Sequence, residues 1–222
     1  MNTLEITNLA HGGYGVGRID GHVWFVPYGL PGDTVQVEET RRARGIVWGR
    51  IQEVPTPSPH RVQQPCPVFG TCGACTWLHF AYPAQLEWKQ RIALDTLKRL
   101  GGVEPKEAVA VEDPELRLGY RTRSEFQGDG WKRGYYAEGS HDIVDIAACP
   151  LCHPKLNEVL AKLRESSVLG PVEITVNPDG DEVLVWTAKP NRRLAKAFAN
   201  AQYFESEEDR HRFVFDGVPI VN

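Results

Sequence analysis

The sequence predicts a mixed fold, with a small β-barrel over residues 1–54, a stiff connection over 55–61 and an α+β domain over 62–222. Three observations carry that reading. Residues 1–54 break into short apolar runs at Gly and Pro turns, and short strands with regular turns suit a sheet closed on itself. Pro55, Pro57 and Pro59 can continue neither a strand nor a helix. Beyond residue 62, helical and alternating apolar patterns interleave.

Taken in order, Leu4 and Ile6 alternate, and the glycine-rich stretch 11–17 turns into a strand over 23–26. Pro31-Gly32-Asp33 makes a turn, Val35 and Val37 alternate, and a strand over 46–51 closes the set. Pro83 suits the first turn of a helix. Leu86, Ala93, Leu97 and Leu100 keep helical spacing behind it, with Gly101-Gly102 as the stop. Lys89, Arg91, Lys98 and Arg99 read as that helix's solvated face. Residues 120–127 and 131–136 flank Gly128-Asp129-Gly130, a hairpin signal. After Pro154, Leu156, Val159, Leu160 and Leu163 fall at i, i+3, i+4 and i+7, a helix with one apolar face. Val172, Ile174 and Val176 alternate before the turn Pro178-Asp179-Gly180 and a return strand over 183–186. A helix is expected over 191–203 through Leu194, Ala197, Phe198 and Ala201. Residues 213–215 and 218–221 form a last strand pair about Asp216-Gly217. There is no internal repeat.

The 222 residues are 41% hydrophobic and 24% charged, as in an ordinary globular protein. No apolar run reaches the roughly 18 residues that span a bilayer, and the start MNTLEITNLA is no signal peptide. The expectation is a cytoplasmic protein with no membrane partner. Net charge is −4, but the charge is uneven. Arg41, Arg42, Arg44 and Arg50 share one stretch without an acid, and residues 117–133 carry Arg117, Arg121, Arg123, Lys132 and Arg133 against Glu125 and Asp129. The compensating acids include Glu205, Glu207, Glu208 and Asp209. An acidic average can hide a basic, nucleic-acid-binding face.

The sharpest chemical signal is Cys66-Pro67-Val68-Phe69-Gly70-Thr71-Cys72-Gly73-Ala74-Cys75. Three thiols on a Pro/Gly loop can aim at one point, and glycines let backbone amides approach the sulfurs of an iron–sulfur cluster. Cys149, followed by Pro150, offers a fourth thiol, and cluster-binding runs also end in Cys-Pro. Zinc sites pair their ligands across short gaps, so gaps of five and two with a distant fourth thiol fit zinc less well. A radical S-adenosylmethionine site would need gaps of three and two. Ordinary buried thiols are the remaining reading. Cys152 is an alternative fourth ligand; beside His153 it reads as structural rather than nucleophilic, since adjacent residues seldom align for that chemistry.

The cysteine loop, continued by His79, Tyr82, Gln85, Leu86 and Lys89, resembles the cluster loop and helix of the bacterial 23S rRNA (uracil-5-)-methyltransferases. Tyr120-Arg121-Thr122-Arg123 is similar to that family's arginine-rich strand. The segment 140–146, leading to Cys149-Pro150-Leu151, is similar to the one supplying its fourth ligand. Gly15-Val16-Gly17-Arg18, Phe25-Val26-Pro27 and Leu30-Pro31-Gly32-Asp33 resemble a TRAM domain, an RNA-binding barrel of OB type. The resemblance implies a 4Fe–4S cluster on Cys66, Cys72, Cys75 and Cys149, and RNA, the large-subunit ribosomal RNA, as partner.

The family's S-adenosylmethionine loop and nucleophilic cysteine find no counterpart here, so no catalytic residue is assigned. Gly13-Tyr14-Gly15-Val16-Gly17 imitates a cofactor loop but leads into a strand and turn instead of a helix. S-adenosylmethionine is expected only with a catalytic methyltransferase domain, in cis or in trans. RNA contacts are expected at Arg41, Arg42, Arg44 and Arg50, with Trp24 or Trp48 for base stacking. Arg121 and Arg123, alternating in a strand, would meet neighbouring phosphates. The rival classes are an iron–sulfur redox or sensor protein and a non-catalytic RNA-binding protein.

Overall fold

Alternation in the first fifty residues produces six strands: β1 (Asn2–Glu5), β2 (Asn8–Leu9), β3 (Gly15–Ile19), β4 (His22–Val26), β5 (Thr34–Ala43) and β6 (Ile46–Thr56). This computed structural model describes residues 1–105, 110–113, 117–177, 179–187 and 192–198, together with the backbone of strands 201–203, 212–215 and 218–221. Two of the turns are two-residue hairpin loops. Asp20-Gly21 and Arg44-Gly45 both take positive φ, at 49° and 80° and at 52° and 78°. That geometry matches the right-handed twist of the strands they join. The apparent cofactor loop is therefore strand β3 and its turn.

The strands form one sheet in the order β1-β5-β6-β4-β3-β2. The expected closed ladder is not what forms. β1 and β2 are the two end strands, and the chain passes between them at Ile6 and Thr7. Ile6 N–H donates to Asp33 O, whereas Thr7 N–H donates to Val16 O, both at 2.9 Å. The curl brings β1 so near β3 that a Cβ on Gly17 would lie 2.2 Å from Glu5 O. Leu4, Ile6, Trp24, Val26, Val35, Val37 and Val47 fill the inside.

Pro55 does not end β6. The pairing with β5 shifts register between Thr34–Thr56 and Gln36–Glu53, and a bulge is where a strand tolerates a residue without an N–H. The following stretch is tied to the sheet. Asp33, 0% exposed, accepts from the Ser58 N–H at 2.7 Å and from Arg61 Nε and Nη2 at 2.7 and 2.6 Å.

Two compact units emerge, each discontinuous in sequence: Met1–Pro65 with Cys75–Asp113, and Cys66–Ala74 with Pro114–Asn222. The first adds helix α1 (Tyr82–Gly101), opened by Pro83 and closed by Gly102 in the left-handed conformation. Its buried face is not the expected one. Ala84 is buried and Ala81, Trp88 and Ile92 pack beside it against Leu9, Leu30 and Phe80, while Leu97 and Leu100 are exposed.

The second unit is a sheet in the order β12-β11-β10-β7-β8-β9. Its strands are β7 (Arg123–Gly128), β8 (Arg133–Tyr136), β9 (Ile143–Asp145), β10 (Val172–Val176), β11 (Val183–Thr187) and β12 (Ala201–Tyr203). Helix α2 (Pro154–Glu165) buries Leu156, Val159, Leu160 and Leu163, as its spacing predicts. The helix expected over 191–203 is shorter, α3 (Arg192–Ala197), and Ala201–Tyr203 instead pairs parallel with β11. β13 (Arg212–Phe215) and β14 (Val218–Val221) form the last pair. The turn expected at Asp216-Gly217 and the acidic stretch at 205–209 lie outside the described residues.

Candidate functional site

The cysteine loop is built by local turns. Phe69 N–H donates to Cys66 O at 3.2 Å, Cys72 N–H to Val68 O at 2.9 Å, and Gly70 supplies a positive φ of 86°. Two bonds fasten the loop to the strand pair β8–β9: Gly73 N–H to Tyr136 O at 2.9 Å and Glu138 N–H to Thr71 O at 3.1 Å. Cys149 is set by α2, whose Asn157 bonds both its N–H and its carbonyl. None of the five cysteines is in a disulfide; Cys66, Cys72, Cys149 and Cys152 are buried and Cys75 is half-buried.

Electrostatics places three of these sulfurs in one neighbourhood. Burial pushes the Cys72 thiol up, the Ala74 N–H opposes this, and Cys149 and Cys66 push it further as nearby negative charges. A hydrogen bond from the Cys152 thiol holds Cys149 below the usual thiol range despite burial, helped by backbone N–H groups and the Arg121 charge. The same bond pushes Cys152 up. Cys149 and Cys152 thus titrate as a coupled pair. Tyr135 Oη also lies 3.4 Å from Cys152. His153, whose Nδ1 accepts from Lys155 N–H at 3.2 Å, caps α2 instead of serving as a base. Among the described residues no three His, Cys, Asp or Glu side chains converge on a single metal ion. Cys75 follows Ala74 where the chain re-enters the first unit.

The first unit carries a second constellation. Register sets Arg41 opposite Trp48, Trp48 opposite Phe25, and Phe25 opposite Val16 across β5, β6, β4 and β3. The Arg41 guanidinium lies 5.0 Å from the Trp48 ring centre. Phe25 stacks on Trp48 at 6.3 Å and 26°, and Tyr14 meets Phe25 edge-on at 6.4 Å. Arg44 and Arg50 are exposed nearby in sequence, and exposed Arg42 pairs with Glu39 at 2.7 Å. Trp24 is only 2% exposed and belongs to the core, so of the two only Trp48 keeps part of its ring in solvent. Sequence reasoning missed Phe25 and Tyr14. The signal was there in Trp24-Phe25, since neighbours in a strand face opposite ways.

Arg121 and Arg123 are engaged inside the second unit. Arg121 Nη2 donates to Ala74 O at 3.2 Å and Nη1 to Tyr135 Oη at 3.4 Å. Arg123 Nε bonds Glu173, a 3% exposed carboxylate on β10, at 2.6 Å. In this geometry Arg123 meets a buried carboxylate, whereas Arg121 bonds a carbonyl and a hydroxyl.

Residues 3–51 match the TRAM domain model. An uncharacterized RNA methyltransferase of Gloeobacter violaceus is 41% identical over 170 residues, covering 73% of this chain and 37% of that protein. Another, of Thermosynechococcus vestitus, is 35% identical over 76% of this chain and 38% of its own length. The chain therefore spans less than two fifths of these relatives. The crystal structure of Pyrococcus abyssi tRNA (uracil-54, C5)-methyltransferase in complex with S-adenosyl-L-homocysteine shares the fold. Its TM-score is 0.64 at 24% identity, over 92% of this chain and 52% of that one.

Proposed function

We propose that this chain, which carries a TRAM domain and is related over about three quarters of its length to proteins named RNA methyltransferase, is the RNA-recognising, cluster-carrying part of an S-adenosylmethionine-dependent RNA (uracil-5-)-methyltransferase acting on large-subunit ribosomal RNA. The row Arg41–Trp48–Phe25 carries the reading. An aromatic face half-open to solvent, backed by an arginine, is what an unpaired base stacks on, and the exposed Arg44 and Arg50 add charge for phosphates. A redox or sensor protein would leave that row without use.

Four thiols are the donor chemistry that a 4Fe–4S cluster requires, and one that zinc shares. Soft thiolates suit iron and sulfide, and a cluster spreads its ligands more widely than one ion does. Cys66, Cys72, Cys75 and Cys149 would hold it. When bound it would clamp loop 66–75 to the α2 end of the second unit, and methyl transfer requires no redox step from it. Cys152 would hydrogen-bond the Cys149 sulfur, and Arg121 would place positive charge near the group. Catalysis is assigned to a methyltransferase domain in cis or in trans. The test is RNA affinity across a salt series, comparing the intact chain with Trp48→Ala and Arg41→Ala. Loss of affinity with the fold intact supports the reading; unaltered affinity refutes it.

A further inference from the structure

The second unit has a surface that the cluster and the TRAM domain do not explain. At the tip of the β7–β8 hairpin Trp131 is 94% exposed. The tip is not loose: Asp129 Oδ1 accepts from the N–H groups of Trp131 and Lys132 at 2.9 and 2.7 Å. It is tied to the loop between α2 and β10, with Gly170 N–H donating to Gly128 O at 2.8 Å. Beneath it, the buried Arg133 guanidinium donates to the carbonyls of Phe126, Gly170 and Val168. The backbone that carries the Trp131 indole is thus tied to its neighbours, while the ring itself stands in solvent.

Beside that tip is a crevice of about 10 Å³ whose lining includes Trp131, Lys132, Ser167 and Arg164, the last paired with Asp145. On the other side of Ser167 opens a groove of about 630 Å³ between α2 and α3, whose charged lining is Lys162, Arg193, Lys196 and Glu165. Among the described residues Lys162 and Lys196 share this lining with Glu165, and Arg193 donates to Ser167 O at 3.1 Å at its edge.

We propose that this surface takes a single-stranded segment of RNA, with phosphates along Lys162, Arg193 and Lys196 and a base on Trp131. The inference rests on the RNA-recognition reading above and adds to it a second contact, on the other unit. The chemistry is that of non-sequence-reading single-strand grooves, where cations follow the backbone and an aromatic ring takes a base.

Fluorescence anisotropy of the full chain with a uridine-rich oligonucleotide, over a salt series, tests it. Replacing Lys162, Arg193 and Lys196 together by Ala should flatten the log–log slope by about two, at roughly 0.7 per single-strand phosphate contact. Trp131→Ala should weaken binding about fivefold or more and leave the slope unchanged, while Trp131→Phe keeps most of the affinity. All these positions are exposed, so folding should survive. If the intact chain binds and loses RNA through Trp48→Ala, yet the groove and Trp131 variants bind as before, RNA is excluded from this surface and the proposal falls alone. If the intact chain binds no RNA, the recognition reading fails first.

Discussion

Asn157 holds the backbone of Cys149 at both ends, with Oδ1 accepting its N–H at 2.8 Å and Nδ2 donating to its carbonyl at 3.1 Å. One side chain of α2 therefore fixes the thiol that sequence spacing alone left furthest from its partners. Asn157→Leu should destabilise the chain by about 1–3 kcal/mol through the orphaned backbone groups and lower its iron content. Asn157→Asp, which keeps the acceptor, should do less on both counts. Thermal unfolding and iron assay check this together.

Protein purified without oxygen should carry about four irons and four sulfides per chain. Ser at Cys66, Cys72, Cys75 or Cys149 should remove most of both. Cys152→Ser should retain them, because a hydroxyl can still donate to the Cys149 sulfur. Stoichiometric zinc without sulfide would overturn the cluster.

The two tryptophans of the first unit should part company. Trp48→Ala should cost RNA affinity about fivefold or more with little loss of stability. Trp24→Ala should cost about 3–5 kcal/mol of stability, because it empties the centre of the curled sheet. Replacing Arg41, Arg42 and Arg44 together by Ala should flatten the salt slope of RNA binding by about two.

His79 gives a pH prediction. It is 5% exposed, and burial with the Arg61 charge beside it lowers its imidazole to about 4. The native state thus favours the neutral ring and the unfolded chain binds the extra proton. Stability from this group is complete above about pH 6.5 and declines as pH falls toward 4, a loss of about 3 kcal/mol for a shift of this size. His79→Gln should remove that part of the acid branch in denaturant titrations at pH 7, 5.5 and 4.

Much of this fold was legible where one pattern had one interpretation. Leu156, Val159, Leu160 and Leu163 define a single helical face, and the structure buries all four. In α1 two faces competed. The long residues Leu97 and Leu100 made the more conspicuous series, but Ala84 allows the closer approach and Trp88 and Ile92 follow it into the core. Ala201–Tyr203 continued a helical spacing and was taken over by pairing with β11, a tertiary contact that local propensity does not contain. The Arg41–Trp48–Phe25 row depends on the parallel pairing of β4 with β6, and no spacing in the sequence announces that.

The interleaving of the two units also has a consequence for the order of events at the ribosome. Loop 66–75 leaves the exit tunnel while its own unit is unmade, and Cys149 follows more than seventy residues later. At about 5–20 residues per second, three nucleophilic thiols wait several seconds for the strands and the helix that will enclose them. Early oxidation or capture by a stray metal in that interval would block assembly before any fold exists to protect it, so the yield of intact protein should depend on the redox state of the cell during synthesis more than on the stability of the finished chain.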